Sequence, residues 1–146
     1  MIDIAIGTED FDAANLLAEL EGLGGGAVAS FTGIVRGGDG LLSMRLDHYP
    51  AMTQTRVHEI VVEANRRWPL LGVVVRHRVG ELTPGSRIVF VGTASAHRAA
   101  ALEACAFLID WLKTSAPFWK KESFADGQQN WVEARAEDNA AKERWG

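Results

Sequence analysis

The chain of 146 residues contains one cysteine, which excludes an internal disulfide and suits a reducing compartment. An excess of basic residues is missing too. Nineteen acidic against 15 lysine and arginine side chains leave a net charge of −4, which argues against a general nucleic-acid binder and makes any cationic site a local one. No apolar run approaches the ~20 residues that span a bilayer. The opening Met1-Ile-Asp-Ile-Ala-Ile-Gly7 lacks the basic flank and apolar stretch of a secretion signal, so the expected location is the cytoplasm. There is no Gly-x-Ser-x-Gly elbow and no Gly-x-x-x-x-Gly-Lys-Ser/Thr phosphate loop. His48, His58, His77 and His97 are too scattered to make a ligand pair at helical spacing, so no metal and no cofactor is expected.

What is present is a globular balance, 47% apolar and 23% charged, in a length that suits one domain spanning residues 1–146. The chain alternates between two hydrophobic periods. Ile2, Ile4 and Ile6 alternate as a strand, and Ala13, Leu16, Leu17 and Leu20 take helical spacing up to the glycine run at Gly22–Gly26, read as a loop. The segments 27–36 and 41–49 read as strands joined at Gly37–Gly40 and are expected to pair as a hairpin. Val57, Ile60, Val61, Ala64 and Trp68 form the stripe of a second helix that Pro69 stops. Segments 72–79 and 87–93 read as strands around the Pro84-Gly85 turn. After the longest helix, 118–124 and 130–134 form a last hairpin around Asp126-Gly127, and the tail from Glu137 is polar. Strands in adjacent pairs with helices between them predict an α+β fold, a mostly antiparallel sheet covered by helices on one face, with a C-terminal hairpin.

The longest helix organises the rest. Leu102, Cys105, Ile109 and Leu112 recur at three- and four-residue steps, which predicts a buried face; Ser95 is the expected cap and Pro117 the stop. Cys105, in mid-stripe, reads as a small core hydrophobe rather than a nucleophile. The cations are the candidates for chemistry. Arg36 ends a glycine-flanked strand, His97-Arg98 open the helix where its free amides favour an anion, and Lys113 closes it, with Lys120 and Lys121 just beyond. Lys113 sits among Trp111, Leu112, Phe118 and Trp119, neighbours expected to desolvate its ammonium and fit it for acid or base work. His97 and Lys113 are sixteen steps apart, about 24 Å along a helix. Either there are two anion sites, or two copies bring opposite helix ends into one pocket, as a symmetric dimer does; the second is favoured.

The segments Phe31-Thr-Gly-Ile-Val-Arg36, Asp47-His-Tyr-Pro-Ala-Met52, Arg67-Trp-Pro69, Val79-Gly-Glu-Leu82, Val91-Gly-Thr-Ala-Ser-Ala-His-Arg98, Leu112-Lys-Thr-Ser-Ala-Pro-Phe-Trp-Lys120 and Trp131-Val-Glu-Ala-Arg135 resemble, in the same order, the catalytic large subunit of molybdopterin synthase. The resemblance implies a sulfurtransferase of molybdenum cofactor biosynthesis that converts cyclic pyranopterin monophosphate to molybdopterin by two sulfur transfers. It implies as partner a small ubiquitin-like sulfur carrier whose thiocarboxylated Gly-Gly tail enters the pocket, and a homodimer at the centre of a heterotetramer. Carried over by position, Lys113 and Lys120 match the active-site lysines, while Arg36, His97, Arg98, Lys121, Glu122 and Arg135 match substrate-contacting positions. On this resemblance Arg36, His97 and Arg98 would hold the substrate phosphate and Lys113 would sit at the reacting carbon. Lys120 would steer the carrier terminus between Phe118 and Trp119.

Ile34 departs from a position often polar or basic in relatives, and the turn at Gly37–Gly40 is short for the family. Two other classes compete with this reading. A non-catalytic module could bind a phosphorylated metabolite with the same cations, and a Schiff-base enzyme could use Lys113 covalently.

Overall fold

The computed structural model describes residues 1–132 and 136–146. The strands are β1 (Ile2–Gly7), β2 (Ala27–Ile34), β3 (Leu41–His48), β4 (Leu70–Arg78), β5 (Gly80–Leu82), β6 (Arg87–Ser95), β7 (Phe118–Phe124) and β8 (Gln129–Val132). The helices are α1 (Ala13–Glu21), α2 (Pro50–Arg67), α3 (Arg98–Thr114) and α4 (Ala136–Glu143). The α+β class, the predominance of antiparallel pairing and the C-terminal hairpin of β7 with β8 agree with the sequence expectation.

The strands divide into two four-stranded sheets, ordered β1-β4-β6-β2 and β5-β3-β7-β8. In the first sheet only the β1–β4 pair is parallel. The expected single sheet with one covered face is thus corrected. Val73 and Val75 pack with Val57, Val61, Cys105 and Leu108 on the side of α2 and α3, whereas Val74 and Phe90 pack with Leu16 and Leu20 of α1 on the other. A strand buried on both faces needs apolar side chains of both parities, which is why Val73-Val-Val75 is an unbroken run.

The expected hairpin of β2 with β3 is also corrected. β2 pairs with β6, and β3 lies in the second sheet between β5 and β7. The register breaks between Gly33 and Ile34. Val35 then exchanges backbone bonds with the turn before β6, donating to Ser86 O at 2.9 Å and accepting from Gly85 N at 2.8 Å. Gly38, Asp39 and Gly40 all adopt positive φ, conformations in which glycine is unstrained, and carry the chain across to the second sheet.

Helix boundaries follow local chemistry. Asp12 caps α1 by accepting from the Ala14 and Asn15 amides, and α2 starts with Pro50 in its first turn, where the missing donor costs nothing. The cap of α3 is His97, not Ser95. Ser95 belongs to β6, buried, with its hydroxyl donating to Pro69 O at 2.7 Å. The buried face of α3 is rotated from the expected stripe. Leu102 is 59% exposed, and Ala101, Cys105, Leu108 and Leu112 face the sheet, because small side chains at Ala101 and Ala104 let the helix approach β2 and β6 closely. No helix among the described residues is long and apolar enough to cross a membrane.

Candidate active site

α3 runs back along β6. Thr93 Oγ1 donates to Ala101 O at 2.6 Å, and the Cys105 thiol reaches Val91 O at 3.7 Å one helical turn later. The start of α3 therefore lies at the Ser95 end of the first sheet and its last turn at the Arg87 end. β2 is antiparallel to β6, with Ala27 beside Ser95 and Ile34 paired to Arg87. Arg36, two residues beyond β2, thus belongs to the same end of the sheet as Lys113. His97 and Arg98, both exposed, stand at the opposite end, about 24 Å away at the helical rise. One chain brings Arg36 and Lys113 to one end and leaves the His-Arg pair at the other.

β7 begins four residues after α3 and brings the remaining candidates. Side chains alternate across a strand, so Phe118, Lys120 and Glu122 share one face while Trp119 and Lys121 share the other. Lys120 stands between Leu46 and Val132, and Glu122 between Met44 and Asn130; Met44 and Leu46 belong to the core beneath the second sheet. Lys120 and Glu122 thus lie on the core-facing side. Lys121 lies opposite Arg45 and Trp131, its ammonium 5.7 Å from the Trp131 ring centroid. Phe118 and Trp119 cannot wall one channel from the same side of β7, which corrects the expectation for that pair. Lys113 is exposed in the isolated chain, so its expected desolvation does not come from its sequence neighbours. Arg135 lies outside the described residues.

The sequence reading gave His77 no role, and the structure buries it against Phe118 of β7, the strand that carries Lys120. His77 extends the Val73, Val75 alternation, which places its ring on the α2/α3 side. The ring lies flat on Phe118, with centroids 3.9 Å apart and planes at 12°, and Phe118 also stacks on His48 at 5.9 Å. His77 Nδ1 is 2.8 Å from Arg78 O, an acceptor only, so that nitrogen carries the proton. Burial, opposed by the Arg78 carbonyl and assisted by the positive charges of Lys113 and His48, holds the imidazole near pKa 4. His77 is therefore neutral near pH 7. The Thr53 hydroxyl donates to Tyr49 O at 2.9 Å, so at 3.1 Å it accepts from His48 Nδ1.

Cys105 is buried, and burial pushes its thiol up to about 11; as a protonated core thiol it is no nucleophile at neutral pH. Among the described residues no three His, Cys, Asp or Glu side chains gather as metal ligands. On the outer face of the second sheet, Asp47, His48, Tyr49, Trp119 and Trp131 line an open cleft of about 430 Å³. Tyr49 meets Trp119 edge-on at 4.8 Å.

Residues 6–115 match the family described as MoaE protein. The chain is 54% identical over 123 residues to the molybdopterin synthase catalytic subunit of Escherichia coli, across 82% of this chain and 81% of that one. It superposes on the molybdopterin biosynthesis MoaE protein of Burkholderia ambifaria with a TM-score of 0.84 at 47% identity, covering 100% and 99% of the two chains. A protein-protein complex of subunits 1 and 2 of the molybdopterin-converting factor from Helicobacter pylori matches with a TM-score of 0.70 at 26% identity, over 92% of this chain and 90% of that one. The motifs around Arg36, His97-Arg98 and Lys113 to Lys120 thus sit in a fold and a sequence of one lineage, and the chain belongs to the MoaE protein family, whose members include molybdopterin synthase catalytic subunits.

Proposed function

We propose that this chain is the catalytic large subunit of a cytoplasmic molybdopterin synthase, a single domain over residues 1–146 that adds two sulfurs to cyclic pyranopterin monophosphate to give molybdopterin. The sulfur comes from a small ubiquitin-like partner whose thiocarboxylated Gly-Gly tail enters the site. The observation that carries the reading is the placement of Lys113 in the last turn of α3, directly before β7, the strand that starts four residues after the helix and carries Lys120.

The division of cations between the two ends of α3 supports a homodimer at the centre of a heterotetramer. In each composite site Arg36, Lys113 and Lys120 of one copy meet His97 and Arg98 of the other. Arg36, His97 and Arg98 bind the phosphate, by guanidinium forks and by the first amides of α3. Lys113 sits at the reacting carbon, where an ammonium protonates a departing oxygen and stabilises charge that develops during attack by the thiocarboxylate sulfur. Lys120 steers the carrier terminus, with Glu122 on the same side of β7. Lys121 and Arg135 complete the substrate contacts, Lys121 from the outer side of the strand. Cys105 takes no part, because the carrier delivers the sulfur.

The test mixes the purified protein with thiocarboxylated carrier and cyclic pyranopterin monophosphate and measures by mass a gain of two sulfurs, with Lys113→Ala alongside. Product in the wild type and none in the variant is the expected result. Substrate binding with no carrier-dependent product would identify a non-catalytic phosphate-binding module instead.

A further inference from the structure

The chain's last residues have no part in the chemistry above, yet they are tied to the helix that carries Lys113. Trp145 packs edge-to-face against Trp68 and Phe107, each at 5.6 Å between centroids. Its indole N–H donates to Asp110 Oδ2 at 2.6 Å, and Arg144 reaches the same oxygen at 3.2 Å. Arg67 donates to the Trp145 carbonyl at 2.7 Å and lies 4.7 Å above the Phe107 ring. One helical turn earlier in the tail, Lys142 Nζ donates to Ser115 Oγ at 2.8 Å.

These contacts bracket one residue. Asp110 precedes Lys113 by three positions and so neighbours it on the helix surface; Ser115 follows it by two and is the C-cap of α3. A terminal helical turn has carbonyls without helical partners and frays readily, and here only Ala116 and Pro117 separate the cap from β7. A group that must meet a reacting atom tolerates little fraying. Within this turn, Thr114 Oγ1 donates back to Asp110 O at 2.7 Å and the Ser115 amide to Trp111 O at 2.8 Å. The tail adds an anchor on each side, and Lys142 places a cation at the negative end of the helix dipole.

We propose that Lys142 and Trp145 are positioning residues, a C-terminal strap that fixes the last turn of α3 and with it the Lys113 ammonium. The proposal rests on the sulfur-transfer reading for its kinetic consequence and on the strap contacts for its structural one. Neither residue touches substrate. The strap acts on the orientation of Lys113, so it changes turnover and leaves carrier docking alone.

The experiment measures sulfur transfer by the 146-residue chain with its thiocarboxylated carrier, in the wild type, Trp145→Ala, Trp145→Phe, Lys142→Met, Ser115→Ala and the Lys142→Met/Ser115→Ala double variant. Misplacement of a catalytic group by a fraction of an ångström to 1 Å predicts a fall in kcat of about tenfold for Trp145→Ala. Lys142→Met falls less, the KM for carrier holds in both, and Trp145→Phe regains part of the loss by refilling the ring cage. The double variant is no slower than the worse single one, because both remove the same bond. The Lys113 Cε resonance, followed by NMR in the same proteins, moves in Lys142→Met relative to wild type. Unchanged kcat in the folded variants overturns the strap, as does a rise in carrier KM at constant kcat. Should Trp145→Ala fail to fold, Lys142→Met decides, since it removes a single half-buried hydrogen bond and leaves the ring cage in place. Should the wild type make no product, the sulfur-transfer reading fails on its own, and an unmoved Lys113 resonance in Lys142→Met then overturns the strap independently.

Discussion

The rings of His77 and Phe118 lie face to face, 3.9 Å between centroids, and join β4 of the first sheet to β7 of the second. Phe118 is two residues before Lys120, on the same side of the strand. The stack therefore sets the height of β7 against the sheet that carries α3. A charged imidazole would place a second cation near the Lys113 ammonium in a buried position, and burial, assisted by that nearby charge, is why His77 resists protonation.

Acid should destabilise the fold through this residue. The folded imidazole holds its proton only below about pH 4, whereas an unfolded chain binds it below the ordinary 6.5. Between those values the unfolded state carries more protons, so stability rises with pH across the window and is lost as pH falls through it. A shift of this size corresponds to roughly 3 kcal/mol. Urea denaturation at pH 7 and pH 4.5 should give a clearly lower midpoint at the acid pH for the wild type. His77→Phe, which keeps the ring, should flatten that difference; an equal drop in the variant would assign the acid sensitivity to other groups.

The placement of His97-Arg98 at the far end of α3 from Lys113 gives a subunit-mixing prediction. Arg98→Ala and Lys113→Ala should each be inactive as homodimers. Co-refolded in equal amounts, half of the dimers pair one variant with the other, and each such dimer has one site with both residues intact. Turnover should return to about a quarter of the wild-type value. A mixture as inactive as its components would put both residues in a site built from one copy.

Much of this arrangement is legible in the sequence, and what is not has a physical cause. Local periodicity identifies α2 and α3, the β7–β8 hairpin and the β4–β6 pairing, because each depends on residues close in sequence. The partner of β2 is hidden, since Gly37–Gly40 reads as a hairpin turn and only the long-range exchange of Val35 with Ser86 and Gly85 sends the chain to a second sheet. The stripe on α3 keeps Cys105 and Leu112 but trades Leu102 and Ile109 for Ala101 and Leu108, because Leu102 is weighted by its hydrophobicity while Ala101 wins by allowing close approach. His77 carries a weak signal, its parity with Val73 and Val75, but its stacking on Phe118 is a tertiary fact. The candidate cations are chosen through motif resemblance, and the separation of His97-Arg98 from Lys113 follows from the length of α3.

Cys105 should be dispensable for sulfur transfer. It is buried on the α3 face with its thiol held near 11 by burial, and its sulfur sits 3.7 Å from Val91 O. Cys105→Ala should leave kcat within about twofold and cost on the order of 1 kcal/mol of stability for the lost volume. Loss of product with retained folding would make the thiol a sulfur relay.

The adjacent lysines of β7 should separate in function. Lys120 shares the core-facing side with Phe118 and Glu122, beside Leu46 and Val132. Lys121 points to the outer cleft, where its ammonium lies near the Trp131 ring. On the proposed role, Lys120 holds the carrier terminus whose sulfur attacks, and misplacing a reacting group by about 1 Å costs on the order of a hundredfold, so Lys120→Ala should lose about that much in kcat. A cation–π contact on an exposed surface contributes roughly 0.5–1 kcal/mol, so Lys121→Ala should retain most of kcat and act on KM for substrate or carrier. Single-turnover sulfur transfer at saturating carrier distinguishes the two. Equal losses in kcat would mean that β7 twists enough at this point, or meets a second copy closely enough, to bring both faces to the same substrate.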